Sequence, residues 1–364
     1  MVRLQPRRPL PPHHNPKPWT SEPKRPQATP QGPIPVQSSS TSIETWQQAL
    51  PHGITLSCRA SGEPGRPVLL FLHGFPEGAW VWDPLLVHFS KPENGGYRCV
   101  APNLRGYERS SAPDDVKAYR AKHLVQDIVA LIGLESGHAP LAALVAHDWG
   151  GAVAWNLANQ HPERLCQLVI INSPHPGPFL KALQNDPAQQ AASTYMNFLV
   201  QPDAAAKLAA HDFERLFGFL TGQDSSLASL SRQAVSPAPS WLTPAIKAQY
   251  RRVWQHGLQG GLNYYRASPL RPATATDPGA SAVQIPPEAL HIGVPTLVLW
   301  AQDDVALLPC LSEGLDKHVP ELKLVPIANA THWVVHEQPQ RVMAEIADFL
   351  QSPATTPKTA RPTQ

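Results

Sequence analysis

Three residues of the sequence have the side-chain types and the chain order of a nucleophile, an acid and a general base. Asp148 lies in the segment 147–151 (HDWGG), while Asp304 and His332 each follow a later apolar run. An aspartate that attacks an acyl group would form a labile anhydride, whereas attack on an sp3 carbon forms an ester that water can cleave. Histidine titrates near neutral pH, and an acid beside it would hold its tautomer. The three residues therefore indicate covalent chemistry at a saturated carbon, followed by hydrolysis.

Each of these assignments leaves an alternative when it is taken alone. Asp303 competes for the acid role with Asp304, which the spacing from Ala301 favours. Asp148 would also serve as an N-cap, because aspartate side chains accept hydrogen bonds from the first amides of a helix. The order of nucleophile, acid and histidine after successive strands is what favours a catalytic role for all three.

The stretch around Asp148 predicts a strand, a sharp turn and a helix, with the carboxylate at the tip. Residues 144–146 (LVA) are short and apolar, as in a parallel strand that is buried on both faces. Gly150 and Gly151 allow a tight turn without a Cβ clash. This is the pattern of a nucleophile elbow, with aspartate where serine or cysteine usually stands.

A sheet must hold these loops, and the apolar pattern predicts one. Short apolar runs alternate with helical segments such as 79–89 and 121–134, which predicts an α/β fold with a mostly parallel sheet. From residue 172 to about 287 helical segments such as 204–220 replace the strand pattern and predict an inserted α-helical lid. The predicted divisions are a disordered Pro-rich basic arm at 1–40, a core at 41–175 and 287–351, a lid at 176–286 and a disordered tail at 352–364.

Composition narrows the possible functions. The chain has 364 residues and 42 prolines, eleven of them within the first 40 residues, which supports a disordered arm. A net charge of +2 gives no indication of a nucleic-acid partner. Four scattered cysteines and the lack of a long apolar run favour a cytoplasmic chain with no membrane span. No His/Cys cluster has metal-ligand spacing, and the sequence gives no indication of oligomeric state.

The chain resembles the epoxide hydrolases of the α/β-hydrolase fold, an aspartate-nucleophile group related to the haloalkane dehalogenases, over roughly residues 45–350. Segments 73–77 (HGFPE) and 147–151 (HDWGG) match motifs of that family, and 103–107 (NLRGY) is close to its D-x-R-G-Y-G stretch. Two lid segments, YMNFLVQP and GGLNYYRA, are similar to those that carry the family's epoxide-binding tyrosines.

The resemblance implies the hydration of a lipophilic epoxide to a vicinal diol, with epoxide and water as partners and no cofactor. Asp148 would attack a ring carbon while Tyr195 and Tyr265 bind the ring oxygen, because a phenol with a pKa of ~10 donates and stays neutral at pH 7. Ester hydrolysis would use His332 and Asp304. The backbone N–H groups expected in the oxyanion hole are those of Phe75 and Trp149, and the residues expected to contact substrate are His73, Pro76 and Trp149.

Three departures from the family pattern and four alternative functions accompany this resemblance. Asn103 and Glu108 replace an acid and a glycine, and Thr331 stands where glycine commonly precedes the histidine. A haloalkane dehalogenase would share the three catalytic residues, but Phe75 and the two lid phenols favour an epoxide. A fluoroacetate-type dehalogenase would have arginines after the elbow, where this chain has the apolar residues Trp149, Ala152 and Trp155. A non-catalytic binding protein would be expected to lack one of the three residues, and an esterase or protease would need serine or cysteine at position 148.

Overall fold

A computed structural model describes residues 42–222 and 239–351. The arm predicted at 1–40 and the tail predicted at 352–364 lie outside the described residues. Eight strands form one sheet, in the spatial order first, second, fourth, third, and then fifth to eighth. In chain order they are β1 (Glu44–Ala49), β2 (Thr55–Ser61), β3 (Val68–Leu72), β4 (Arg98–Pro102), β5 (Ala143–His147), β6 (Leu168–Ile171), β7 (Thr296–Ala301) and β8 (Leu322–Ile327).

The sheet is mostly parallel, as predicted. Only β2 runs antiparallel to its neighbours, β1 and β4. Every residue of β3, β5, β6 and β7 is buried, because helices cover both faces of these parallel strands. Consecutive residues point to opposite faces, so that Leu144 packs in one apolar core and Val145 in the other. The uninterrupted apolar runs of the sequence therefore reflect two cores.

Helices flank the sheet and fill the long connection between β6 and β7. Within the described part of that connection the structure contains six α-helices and no strand. The helices around the sheet are α1 (Asp83–Ser90), α2 (Ala121–Ser136), α3 (Asp148–Gln160), α10 (Val334–Glu337) and α11 (Pro339–Gln351). Those of the connection are α4 (Pro176–Asn185), α5 (Pro187–Ala192), α6 (Tyr195–Leu199), α7 (Ala204–Thr221), α8 (Pro244–Trp254) and α9 (Gln259–Ala267).

The helix predicted at 204–220 is interrupted in the structure. Within α7, residues 211–213 all have positive φ, between 52° and 63°. Two tertiary contacts accompany this break: Asp212 pairs with Arg251 at 2.7 Å, and the Phe213 ring lies 5.4 Å from that of Trp254. The periodicity of apolar residues in α7 predicts a continuous helix, because it carries no information about contacts with α8. These contacts accompany the left-handed residues that interrupt the helix.

Among the residues that the structure describes, no helix is long and apolar enough to cross a membrane. In the same residues, no group of three or more His, Cys, Asp or Glu side chains is placed to hold a metal ion. All four cysteines are free, and Cys58 and Cys99 are buried. Burial raises the pKa of the Cys58 thiol to about 12, so this thiol is un-ionised at neutral pH.

Candidate active site

Asp148 lies in a tight turn between β5 and α3. It is the first residue of α3, its backbone φ is 49°, and a non-glycine residue rarely adopts this left-handed conformation. The cap position of the helix is His147, and no side chain caps the helix. Asp148 therefore does not act as the N-cap, and the strained turn is held by the surrounding packing.

Two glycines make room for this turn. A Cβ atom on Gly74 would lie 2.3 Å from Asp148 Oδ1, and one on Gly150 would lie 2.4 Å from the Leu72 carbonyl oxygen. Both distances are too short for any side chain, so the loop after β3 and the start of α3 approach each other only because both residues are glycine. The HGFPE and HDWGG segments thus fit together as one unit at the carboxyl edge of the sheet.

The two oxygens of the Asp148 carboxylate have different neighbours. Oδ1 accepts a hydrogen bond of 2.7 Å from the backbone N–H of Phe75. Oδ2 lies 3.7 Å from His332 Nε2. Trp149, the second residue of α3, has a backbone N–H without an intrahelical acceptor, so its place in an oxyanion hole stays a prediction. One oxygen is held by an amide, and the other faces the histidine.

His332 and Asp304 form a close pair beside Asp148. His332 Nδ1 lies 2.7 Å from Asp304 Oδ2, and carboxylate oxygens only accept, so this nitrogen carries the proton. Asp304 also accepts bonds of 2.9 Å from the backbone N–H groups of Ala306 and Leu307. Asp303, the competing acid, is exposed and makes no side-chain contact of this kind within the described residues. The geometry selects Asp304 as the partner of the histidine.

Asn172 is a residue of this site that the sequence analysis missed. Its Nδ2 donates a bond of 2.8 Å to Asp304 Oδ2, and its Oδ1 accepts one of 2.9 Å from the Ala301 N–H. Asn172 directly follows β6 and has a φ of 38°. Its position at the end of a buried strand is the one signal that would have predicted it.

The charges in this group shift the pKa values of its members. Burial acts to raise the pKa of Asp304, but the charge of His332 and several hydrogen bonds outweigh it and lower that pKa. Burial acts to lower the pKa of His332, but the charge and hydrogen bond of Asp304, with the charges of Asp148 and Glu77, raise it to about 9. At neutral pH the resting site therefore contains an imidazolium between two carboxylates.

Replacing His332 with glutamine is expected to remove a pH-dependent part of the stability. The pKa of His332 is about 9 in the folded protein, against ~6.5 for histidine in an unfolded chain. Because the folded value is higher, the stabilisation is complete below about pH 6.5 and is lost as the pH rises through about 9. The advantage of the wild type over the variant in free energy of unfolding should fall by up to about 3 kcal/mol between about pH 6 and pH 10. Urea titrations at both pH values test this, and a constant difference would contradict it.

Tyr195 and Tyr265 reach the site from α6 and α9. Their side chains are 5% and 4% exposed, and their ring centroids lie 6.2 Å apart. Burial raises the pKa of both phenols well above 10, and the charge of Asp148 contributes. Both are therefore neutral donors over the whole physiological range. The neighbouring Tyr264 instead donates a bond of 2.9 Å to the Arg105 carbonyl oxygen.

Two cavities share the residues of this site. One has a volume of about 710 Å³ and the other about 350 Å³, and Asp148, Tyr195 and Tyr265 line both. His332 and Phe75 line only the larger cavity, and Trp149 lines only the smaller one. Neither cavity has Lys or Arg among its described lining residues. The smaller cavity is lined mainly by apolar side chains, and Asp148 is the one acidic side chain among its described lining residues.

The structure does not bring two of the predicted substrate contacts to these cavities. His73 is fully buried, its Nε2 accepts a bond of 3.0 Å from the Leu104 N–H, and it lines neither cavity. Pro76 also lines neither, and its carbonyl oxygen accepts a bond of 2.6 Å from Trp254. In the described structure both residues fix the loop that presents the Phe75 amide. Only Trp149 of the three predicted contacts lines a cavity.

Glu77 belongs to a buried polar network that the sequence analysis also missed. Its Oε1 accepts bonds of 2.8 Å from Tyr250 and from His336, and its Oε2 lies 3.2 Å from His147 Nδ1. Burial acts to raise the pKa of Glu77, but the bonds from His147 and His336 outweigh it and hold that pKa far below its usual range. His147 Nε2 in turn donates a bond of 2.9 Å to the His332 carbonyl oxygen. The network thus fixes the backbone of the catalytic-base candidate.

Known proteins resemble this chain in sequence and in structure. The α/β hydrolase fold family matches residues 67–339. Epoxide hydrolase 3 of Xenopus tropicalis is 33% identical over 306 residues, which cover 82% of this chain and 75% of that protein. A solved epoxide hydrolase from metagenomes of hot environments is 36% identical with a TM-score of 0.71, covering 85% of this chain and 99% of its own. The epoxide hydrolase of Bacillus megaterium is 27% identical with a TM-score of 0.71, covering 84% of this chain and 99% of its own.

The chain belongs to the epoxide hydrolases of the α/β-hydrolase fold. The predicted family and fold class are therefore confirmed, and membership supports hydrolase activity. Similarity over whole chains assigns no role to a single residue. The roles of the site residues rest on the distances given above.

Proposed function

We propose that this enzyme converts a lipophilic epoxide to a vicinal diol through a covalent ester on Asp148. The observation that carries the proposal is that Asp148, His332 and the phenols of Tyr195 and Tyr265 line one cavity. Such a set offers a nucleophile, a base and two neutral donors for a leaving oxygen. The apolar lining of the smaller cavity and the lack of Lys and Arg among the described lining residues support a lipophilic, uncharged substrate.

In the first step, Oδ2 of Asp148 attacks a ring carbon and the bond from that carbon to the ring oxygen breaks. The oxygen leaves with the electron pair and takes a proton from Tyr195 or Tyr265. After the ester bond has formed, the tyrosinate regains its proton from protonated His332, or from solvent in a variant that lacks the histidine. The result is a hydroxyalkyl ester on Asp148, with neutral tyrosines and a neutral histidine.

In the second step, neutral His332 removes a proton from water, which attacks the carbonyl carbon of the ester. The oxyanion forms on Oδ1, which the Phe75 N–H already contacts at 2.7 Å. His332 then returns its proton to the leaving alcohol oxygen, the diol is released, and the acid form of Asp148 protonates His332 again. The atoms balance as epoxide plus water giving diol.

Ester formation itself prepares the histidine for this second step. The negative charge of Asp148 is one of the causes that raise the pKa of His332 to about 9. Esterification removes that charge, so the pKa of His332 falls when the ester forms. The histidine is therefore a cation while the leaving oxygen needs a proton, and it becomes a base when water must be activated.

A haloalkane dehalogenase would use the same nucleophile, acid and histidine. A halide leaving group takes no proton and is bound by N–H donors, whereas the residues around Asp148 include two buried phenols. The Phe75 side chain has no donor and packs edge-on against the Tyr265 ring at 5.4 Å. These contacts favour an oxygen leaving group over a halide.

The His332→Ala variant is expected to trap the ester. Attack needs Asp148 and the phenols, whereas ester hydrolysis needs the histidine, so the ester should accumulate after mixing with styrene oxide. Intact-protein mass spectrometry should then show a gain equal to the whole epoxide. Peptide mapping should place the adduct on Asp148.

Two controls make the trapping experiment decisive. The double variant with Asp148→Ala should gain no mass, which separates the ester from alkylation elsewhere. A parallel reaction with 1-bromobutane tests the dehalogenase alternative, because a butyl adduct with release of bromide would contradict the proposal. An epoxide adduct that also forms in the double variant would contradict the role of Asp148.

A further inference from the structure

Thr331, which directly precedes His332, is tied to Glu337 by two hydrogen bonds. The Thr331 N–H donates to Glu337 Oε2 at 2.7 Å, and the Thr331 hydroxyl donates to Glu337 Oε1 at 2.7 Å. A carboxylate that accepts two bonds from one residue fixes both the backbone and the side chain of that residue. We call this pair the Thr331–Glu337 clamp.

The clamp encloses His332. The Thr331 hydroxyl also accepts a bond of 3.3 Å from the Trp333 N–H, so one side chain bonds across the histidine backbone. Glu337 is the last residue of α10, the short helix that follows Trp333. The hydrogen bonds between Thr331 and Glu337 therefore join the two ends of segment 331–337, and His332 lies within this closed segment.

Two other hydrogen bonds hold the same loop on either side of Thr331. The Ala330 carbonyl oxygen accepts a bond of 3.0 Å from the Asp303 N–H, and the His332 carbonyl oxygen accepts one of 2.9 Å from His147. Both fix carbonyl groups. The N-terminal side of His332 is held by the Thr331 amide and hydroxyl, and both of these bond to Glu337.

We infer that Thr331 and Glu337 are positioning residues for His332 in ester hydrolysis, an inference that rests on the function proposed above. His332 must hold Nδ1 against Asp304 at 2.7 Å while Nε2, 3.7 Å from Asp148 Oδ2, reaches the attacking water. A general base works within about 2.6–3.2 Å of its proton donor. A displacement of about 1 Å costs on the order of 100-fold in rate, so a clamp on the histidine backbone affects catalysis directly.

The two chemical steps depend on the clamp to different extents. Attack on the epoxide uses Asp148, which the Phe75 amide holds, and the phenols of α6 and α9. None of these groups contacts Thr331 or Glu337 in the described structure. Ester hydrolysis uses His332, so loosening the clamp should slow the second step and leave the first unchanged.

Single-turnover measurements on three variants test this inference. Thr331→Val keeps the side-chain shape and removes the hydroxyl, and Glu337→Gln removes the charge that accepts both bonds. Each should slow ester hydrolysis about 10- to 100-fold and change the rate of ester formation less than about threefold. Thr331→Ser retains the hydroxyl and should restore hydrolysis to within about threefold of the wild type.

Glu63→Gln is a matched control for the loss of a charge. Glu63 is exposed and precedes β3, whereas the site lies beyond the opposite, carboxyl end of that strand. Both rates should stay at the wild-type values in this variant. During turnover of an excess of styrene oxide, intact-protein mass should show ester accumulating in Thr331→Val and Glu337→Gln but in neither Thr331→Ser nor Glu63→Gln.

Two outcomes would overturn the inference, and a third concerns only the proposed function. Hydrolysis at the wild-type rate in Thr331→Val would show that the clamp does not position His332. Equal loss of both steps with a lowered Tm, unrelieved in Thr331→Ser, would show a purely structural role. If His332→Ala forms no ester while the wild type still consumes epoxide, the covalent mechanism itself is wrong, and that result is separate from the other two.

Discussion

Replacing Asp148 with alanine is expected to lower kcat/KM for epoxide hydration by more than about 10⁴-fold, since loss of a nucleophile leaves little residual catalysis. The variant retains His332, Asp304 and the phenols of Tyr195 and Tyr265. It lacks the carboxylate that is proposed to form the ester. The fold should persist, because Asp148 is partly exposed and the left-handed turn, with its φ of 49°, is held by the packing of Gly74 and Gly150 around it. Steady-state kinetics with styrene oxide, beside circular dichroism of both proteins, measures this.

Oxygen labelling gives the same prediction a direct chemical readout. In a single turnover of the wild type in ¹⁸O-water, the new hydroxyl of the diol should come from Asp148, and the label should enter its carboxylate. Asp114→Ala, which removes an exposed aspartate, should leave kcat/KM within about twofold, as surface substitutions usually do. Label found in the diol of the first turnover, or more than about 1% activity in Asp148→Ala, would argue for direct attack by water.

Removal of both phenols, Tyr195 on α6 and Tyr265 on α9, should have the second largest effect. The double variant Tyr195→Phe/Tyr265→Phe is expected to slow ester formation by at least about 10³-fold, because general acid catalysis contributes about 10²–10⁴-fold. In each single variant one phenol still reaches the ring oxygen. The logarithm of its fold-decrease in the rate of ester formation should therefore be less than half of that of the double variant. Ester formation in the wild type should not decline between about pH 6 and pH 8, because the pKa of both phenols lies well above 10 and that of His332 is about 9.

Tyr264→Phe is the matched control for the phenols. This tyrosine adjoins Tyr265 in the sequence, but its hydroxyl is bonded to the Arg105 carbonyl oxygen. Its replacement should cost about 1 kcal/mol in free energy of unfolding, the typical value of one hydrogen bond, and leave ester formation within about threefold. Stopped-flow tryptophan fluorescence follows the rate. If Tyr264→Phe slowed ester formation as much as Tyr265→Phe, the assignment of the phenols would be wrong.

Some parts of the site were predictable because local sequence carries them. The turn at Asp148 needs glycine at fixed distances along the chain, and a Cβ on Gly150 would lie 2.4 Å from Leu72 O. Strands buried on both faces need uninterrupted apolar runs, so the order of the strands could be recognised. Because the carboxyl ends of parallel strands meet at one edge, the loops with Asp148, Asp304 and His332 had to lie near one another.

Other parts depend on contacts that no local pattern contains. The spacing from Ala301 already favoured Asp304 over its neighbour Asp303, but the physical reason is the direction of the loop after β7, which buries one carboxylate against His332. Glu77 was expected near the site, but its network with His147 and His336 joins three distant segments. The placement of His73 and Pro76 behind the cavity was likewise not predictable, because the alternation of inward and outward side chains does not extend into loops.

The sequence by itself determined the fold class, the elbow and the identity of the three groups that could perform covalent hydrolysis, because periodicity and glycine positions act over a few residues. The tertiary structure decided the rest. It gave the two oxygens of the Asp148 carboxylate different neighbours and interrupted α7. It also brought Asn172 to Asp304 and formed the hydrogen bonds between Thr331 and Glu337. These features arise from hydrogen bonds and packing between segments far apart in the chain, whose energies are fixed only when the whole domain is assembled.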